Sequence, residues 1–231
     1  MSGFRPLLSL VGMVALALGI SAPAFASSVY TSYSIDSRYT IAAATCDSTG
    51  RCIGYGRLHG LNGPCSLLEG PATTHGDITR QQLYVLQTGS DSIPVVALKI
   101  YDKTVSTRPD DEYLRISLIR TIPLPSFRGG SKLTCAMAGN PTSLFLGVVG
   151  AGHAIQFDRK TLTGHTFGAD PYLRSHFTSM VADQAGYVSV YFGGGAYASA
   201  YLFGPDGIVI DTGDPYSQVL LTNQNNGVSL K

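Results

Sequence analysis

A seventeen-residue phrase constrains this chain more than any other feature. It runs Thr178-Ser-Met-Val-Ala-Asp-Gln-Ala-Gly-Tyr-Val-Ser-Val-Tyr-Phe-Gly-Gly194, and Thr134 to Gly150 has the same length and the same end residues. Both carry apolar residues at the eleventh, thirteenth and fifteenth places: Val188, Val190 and Phe192 in one, Leu144, Leu146 and Val148 in the other. Alternation with period two marks a half-buried strand, so each phrase predicts a hairpin. Thr40 to Gly56 and Thr73 to Gly89 fit the same frame more loosely. The earlier of these has Gly50, Cys52 and Gly54 at the apolar places, and the other has Leu83, Val85 and Gln87. The four copies start at 40, 73, 134 and 178, a mean spacing of 46 residues.

The segments directly after the last three copies are also alike. Val95 to Thr104, Ala154 to Thr161 and Ala200 to Gly207 each read as an alternating strand, an aromatic residue and a turn containing Asp. An Asp carboxylate accepts hydrogen bonds from backbone amides just ahead of it, which is why turns select it. Further strands are predicted at Leu114 to Leu124, Leu162 to Phe167 and Ile208 to Asp211. One unit is therefore four strands in about 46 residues, a period associated with propeller blades. Phe157-Asp158-Arg159-Lys160-Thr161 resembles the aromatic-Asp-x-x-Thr corner of the broad β-propeller repeat superfamily, and Tyr101-Asp102-Lys103-Thr104 resembles it with one residue fewer before the Thr. The resemblance implies an all-β, small β-propeller-like array of about four blade-like units and carries no functional residue with it. A β-sandwich is the alternative that evenly spaced short strands leave open. Closure of the ring would fall to Val29–Ile35 on the last unit, to the tail Val219 to Leu230, or to a second copy in a homodimer.

Residues 1–26 read as a signal peptide: Arg5, an uncharged apolar run from Leu7 to Ile20, then Ala24-Phe25-Ala26. The apolar run is shorter than the roughly 20 residues a membrane helix needs. Residues 27–231 then form a single all-β repeat domain, secreted or periplasmic, with no transmembrane segment. Without Arg5 that domain has 15 basic and 15 acidic side chains. A balanced charge provides no field to gather phosphates, which argues against nucleic acid as a partner.

Cys46, Cys52, Cys65 and Cys135 are all the cysteines. In an exported chain an even number reads as disulfides, and their spacing matches no zinc pattern. Cys46 and Cys52 flank Asp47 to Arg51 and could close one hairpin, which leaves Cys65 for Cys135. Asp110-Asp111-Glu112 is the densest acidic run, read as a solvated loop before a calcium site.

No catalytic constellation is visible. His75, Asp77 and His153 are the candidates for a metal, because loops of a repeat fold can bring distant ligands to one axis, and a divalent cation is the cofactor they would suit. The thirteen tyrosines, seven of them mixed with Gly and Ser, suit stacking on a carbohydrate or packing on a protein. The reading is an exported, non-enzymatic binding or protein-interaction module. Its alternative is a hydrolase or lyase with a metal-dependent site at the propeller axis.

Overall fold

The computed structural model describes residues 29–35, 40–61, 63–88, 95–124, 132–149, 154–168, 177–192, 199–213 and 228–229. The signal-peptide expectation and His153 lie outside these residues. The described residues contain no helix and form four antiparallel sheets. The first holds β1 (Tyr30–Ile35), β2 (Ile41–Cys46) and β3 (Cys52–Leu58). The second holds β4 (Pro64–His75), β5 (Ile78–Thr88), β6 (Val95–Arg108) and β7 (Asp111–Pro123) in sequence order. The third is β8 (Lys132–Gly139), β9 (Ser143–Val149), β10 (Ala154–Asp158) and β11 (Gly164–Phe167). The fourth is β12 (Phe177–Ala182), β13 (Val188–Phe192), β14 (Ser199–Phe203) and β15 (Val209–Gly213). The expected array of about four blade-like sheets is therefore present. No closed sheet is seen among the described residues, and a two-sheet sandwich is not what the chain adopts.

The sheets pack in sequence order, first on second, second on third and third on fourth. Each joint has its own apolar core. Ile41, Leu58, Leu83, Val85 and Tyr101 fill the first joint. Leu68, Tyr84, Leu86, Leu98, Leu144 and Phe157 fill the second. Ala138, Phe145, Met180, Val190 and Phe203 fill the third. Successive side chains of a strand point to opposite faces. That is why β5 reads Leu83-Tyr84-Val85-Leu86 without a break: Leu83 and Val85 face the first sheet, while Tyr84 and Leu86 face the third. All four are 1% exposed or less, and full burial of each such side chain contributes roughly 1.5–3 kcal/mol.

Polar groups tie the first joint. Lys103, buried on β6, donates to Glu69 Oε1 at 2.6 Å, to Thr31 Oγ1 at 3.1 Å and to the Tyr33 hydroxyl at 3.3 Å. Tyr33 also donates to Glu69, and Tyr101 donates to the His59 carbonyl at 2.8 Å. Burial, reinforced by the Glu69 charge, pushes the Tyr33 phenol well above its ordinary value, so it stays a neutral donor. Both disulfides form as the spacing suggested, Cys46 with Cys52 across the β2–β3 hairpin and Cys65 with Cys135 between the second and third sheets.

The structure corrects several sequence expectations. The β8–β9 and β12–β13 turns fall within a residue of the same place in the phrase, but the β2–β3 turn comes two residues late and the β4–β5 turn, at Gly76-Asp77, comes early. Glycine on β3 reflects a close crossing: a Cβ on Gly54 would lie 2.5 Å from the Leu114 nitrogen of β7. Among the described residues neither terminal segment makes the expected ring closure. Val29–Ile35 supplies β1, which pairs with β2, and the tail supplies β16 (Val228–Ser229), which pairs with β4 of the second sheet. Tyr101 to Thr104 does not turn either, because β6 runs straight through it to Arg108. The strand expected at Leu114 to Leu124 is present as β7.

Candidate functional site: a basic pocket at the second joint

Strands β4 to β7 of the second sheet are 11 to 14 residues long, whereas those of the third are 4 to 8. One half of the second sheet's inner face is apolar and is covered by the third sheet. Beyond Tyr84 the same face turns polar: Gln82 and Arg80 follow it on β5, with Asp102 directly opposite Gln82 on β6 and Thr73 opposite Arg80 on β4. This polar overhang meets two turns of the third sheet and borders a shallow, open pocket of about 420 Å³, lined among others by Thr73, Arg80, Gln82, Asp102, Arg159 and Lys160. That volume lies within the roughly 300–1,000 Å³ usual for small-ligand pockets.

The turn that carries Arg159 is held firmly. Asp158 Oδ1 accepts from the amides of Lys160 at 2.9 Å and Thr161 at 2.7 Å, and from the Thr161 hydroxyl at 3.0 Å. These bonds, those from Thr161 first, hold the Asp158 carboxyl below its ordinary value. Leu162 closes the turn with φ +59°, a left-handed conformation that costs a side-chain-bearing residue roughly 1–2 kcal/mol. The Leu162 side chain packs on the core of the second joint. The Arg159 amide donates to the Thr142 carbonyl at 2.9 Å, which fastens this turn to the β8–β9 turn.

The Arg159 side chain then crosses to the second sheet. Its guanidinium lies over the Tyr84 ring, 4.6 Å from the centroid, and its Nε donates to the Ser143 carbonyl at 3.2 Å. Two strand glycines make the slot. A Cβ on Gly139 would sit 2.4 Å from Nη2, and one on Gly70 would sit 3.0 Å from Nη1. Both Nη atoms are buried, and among the described residues neither has a hydrogen-bond partner. Burial lowers the guanidinium's pKa from its ordinary value, with Tyr84 opposing, but an arginine this far from neutrality stays charged. A buried donor without an acceptor costs about 1–3 kcal/mol, and more when charged. The cation beside the pocket is thus only partly satisfied: Nε has the Ser143 carbonyl and the ring of Tyr84 lies under the guanidinium, but the two Nη atoms have no acceptor among the described residues.

Of the residues singled out for metal binding, His75 and Asp77 do not line this pocket. His75 and Asp77 stand together at the exposed tip of the β4–β5 turn, where the Asp77 carbonyl accepts from the Thr107 amide at 2.9 Å and the Thr107 hydroxyl at 3.2 Å. Among the described residues no three His, Cys, Asp or Glu side chains gather closely enough to hold a metal ion. Glu112, in the acidic run, is engaged by Arg51 through a two-pronged pair at 2.7 and 3.1 Å. Of the tyrosines, Tyr55 and Tyr30 are strongly exposed, on the outer strands of the first sheet. The pocket itself went unread in the sequence. Its signals were the switch in β5 from Leu83-Tyr84-Val85-Leu86 to the polar Arg80-Gln81-Gln82, and glycines inside two strands.

No protein-family model matches this chain, and no curated protein sequence does. Among solved structures it is similar to regucalcin, a calcium-binding protein from Agrobacterium tumefaciens str. C58, at 9% identity and a TM-score of 0.34, covering 78% of this chain and 72% of that one. It is also similar to a candidate hydrolase from Bacteroides ovatus ATCC 8483, at 12% identity and a TM-score of 0.33, covering 66% of this chain and 45% of the other. Likeness at this level says nothing of function, and the all-β assignment stands on the four sheets themselves.

Proposed function

We propose that this protein is an exported, non-enzymatic binding module whose ligand is an anion held in the pocket between the second and third sheets. The observation that carries the reading is the Arg159 guanidinium beside the pocket, whose two buried Nη groups have no acceptor among the described residues. Arg80 and Lys160 add positive charge around it against the single carboxylate of Asp102. The lining offers cations, amides and one acid, which suits holding a ligand better than breaking a bond in it. Export agrees with two disulfides, which persist in oxidising compartments, and the described residues include no helix long and apolar enough to cross a membrane.

The competing reading is a metal-dependent hydrolase or lyase using His75, Asp77 and His153. The two are separated by titrating the protein with acetate and sulfate, and separately with Zn²⁺ and Ca²⁺, while following backbone amide shifts. The binding reading predicts saturable shifts at Arg159, Gln82 and Asp102 with the anions, absent in Arg159→Met. Shifts confined to His75, Asp77 and His153 on adding metal, with no anion response, would replace it with the metal-site reading.

A further inference from the structure

This inference rests on the anion-binding reading and names the ligand more closely. We infer that the pocket takes a sugar acid: a hydroxylated molecule with one carboxylate, which pairs with Arg159 while its hydroxyls meet Asp102 and Gln82.

The chemistry of the walls leads there. A guanidinium is a planar fork of donors that matches a carboxylate's two oxygens, and such pairs are stronger than neutral hydrogen bonds. Arg159 has both Nη groups unfilled, so it has two adjacent donors to offer. They lie shielded in the slot between Gly70 and Gly139, so the proposal requires the guanidinium to turn out of that slot to meet a carboxylate in the pocket.

The rest of the pocket does not suit a second negative charge. Asp102 lines it with a carboxylate, which repels an anion and accepts from hydroxyl groups. Gln82, its direct neighbour across β5 and β6, has its Oε1 filled by the Tyr84 hydroxyl at 2.5 Å. The Gln82 NH₂ is therefore the end that turns to a ligand, as a donor to hydroxyl oxygen. Thr73 adds a hydroxyl on β4. A ligand that satisfies this arrangement is charged at one end and polyhydroxylated at the other. Inorganic phosphate or sulfate meets the first condition and leaves the second empty, and a neutral sugar does the reverse.

Calorimetric titration of the full chain with glucuronate, glucose, acetate and sulfate tests this. Glucuronate is expected to bind at least about tenfold more tightly than each of the other three, a difference near 1.4 kcal/mol. Asp102→Asn and Gln82→Ala should weaken glucuronate and leave acetate unchanged. Arg159→Met should abolish both, with Arg159→Lys retaining a weak response as proof that the site still folds. If acetate or sulfate binds as tightly as glucuronate, the sugar-acid inference is overturned and the anion reading stands. If glucose binds as tightly, Arg159 recognises no carboxylate and the inference is likewise overturned. Heat from none of the four probes would sink the inference and the anion reading together.

Discussion

The second and third sheets carry similar short motifs, which differ by one residue between Asp and Thr, and use them in opposite ways. In the third sheet, Phe157-Asp158-Arg159-Lys160-Thr161 leaves its strand and turns, with Asp158 collecting the amides of Lys160 and Thr161. In the second, Tyr101-Asp102-Lys103-Thr104 stays extended within β6, with Asp102 paired across from Gln82 and Ser117. The difference lies in what surrounds the motif. Lys103 and Val105 are buried against the first sheet, and Lys103 is held there by Glu69 and Thr31. Turning at Asp102 would strip Lys103 of those partners. Lys160 and Thr161 are exposed, so nothing pulls the third sheet's strand onward. One strand overruns and the other turns back. The pocket is the step between them, and it follows from this difference in packing together with the one residue by which the motifs differ.

That comparison can be broken most severely at the covalent clasp between the two sheets. Cys65 and Cys135 are 70 residues apart, while Cys46 and Cys52 are separated by only 6. Loop entropy then assigns about 4 kcal/mol to the longer link and about 2 kcal/mol to the shorter. Urea denaturation of Cys65→Ala/Cys135→Ala against Cys46→Ala/Cys52→Ala should rank them in that order. The reverse ranking would mean that the second joint holds without its clasp.

Gly139→Ala acts next, on the slot alone. The added methyl meets Nη2 of Arg159, Leu68 Cδ2 at 2.9 Å and the Ser143 carbonyl at 3.0 Å. Overpacking of this kind costs about 1–3 kcal/mol, while a guanidinium already pushed out of the slot should hold an anion at least as tightly as in the parent. Calorimetry and chemical denaturation on one sample show both. The smallest effect sharpens the motif itself. Asp158→Ala removes the three bonds that fix the turn and should lower Tm slightly, whereas Asp102→Ala, in mid-strand, should leave Tm unchanged while weakening ligand binding. Equal Tm shifts would show that the two aspartates are structurally alike.

Much of the fold was legible in the sequence because alternation is a local property. Leu144-Phe145-Leu146 and Val188-Ser189-Val190 announce strands wherever they sit, and both disulfides followed from a hairpin-sized spacing and elimination. The site was not legible for the same reason. Tyr84, Gln82 and Asp102 come from one sheet and Arg159 from a turn more than fifty residues later, brought together only by the unequal lengths of strands. His75 and Asp77 looked like a site because they are neighbours in sequence, yet they share an exposed hairpin tip. Gly70 and Gly139, unremarkable as letters, turn out to be the space that Arg159 needs.

Arg159 can be a strut that holds two sheets or a receptor for a ligand, and stability and binding separate the two roles. As a strut, its loss costs the cation–π contact with Tyr84, about 0.5–2 kcal/mol, and leaves a gap. As a receptor, it holds a desolvated charge with unfilled donors, and an apolar side chain of similar length relieves that cost. The most direct measurement is the urea midpoint of Arg159→Met with and without glucuronate. The expected result is an unliganded variant at least as stable as the parent, with the ligand-induced rise in midpoint gone. A variant destabilised by more than about 2 kcal/mol that still gains stability from glucuronate would contradict the account.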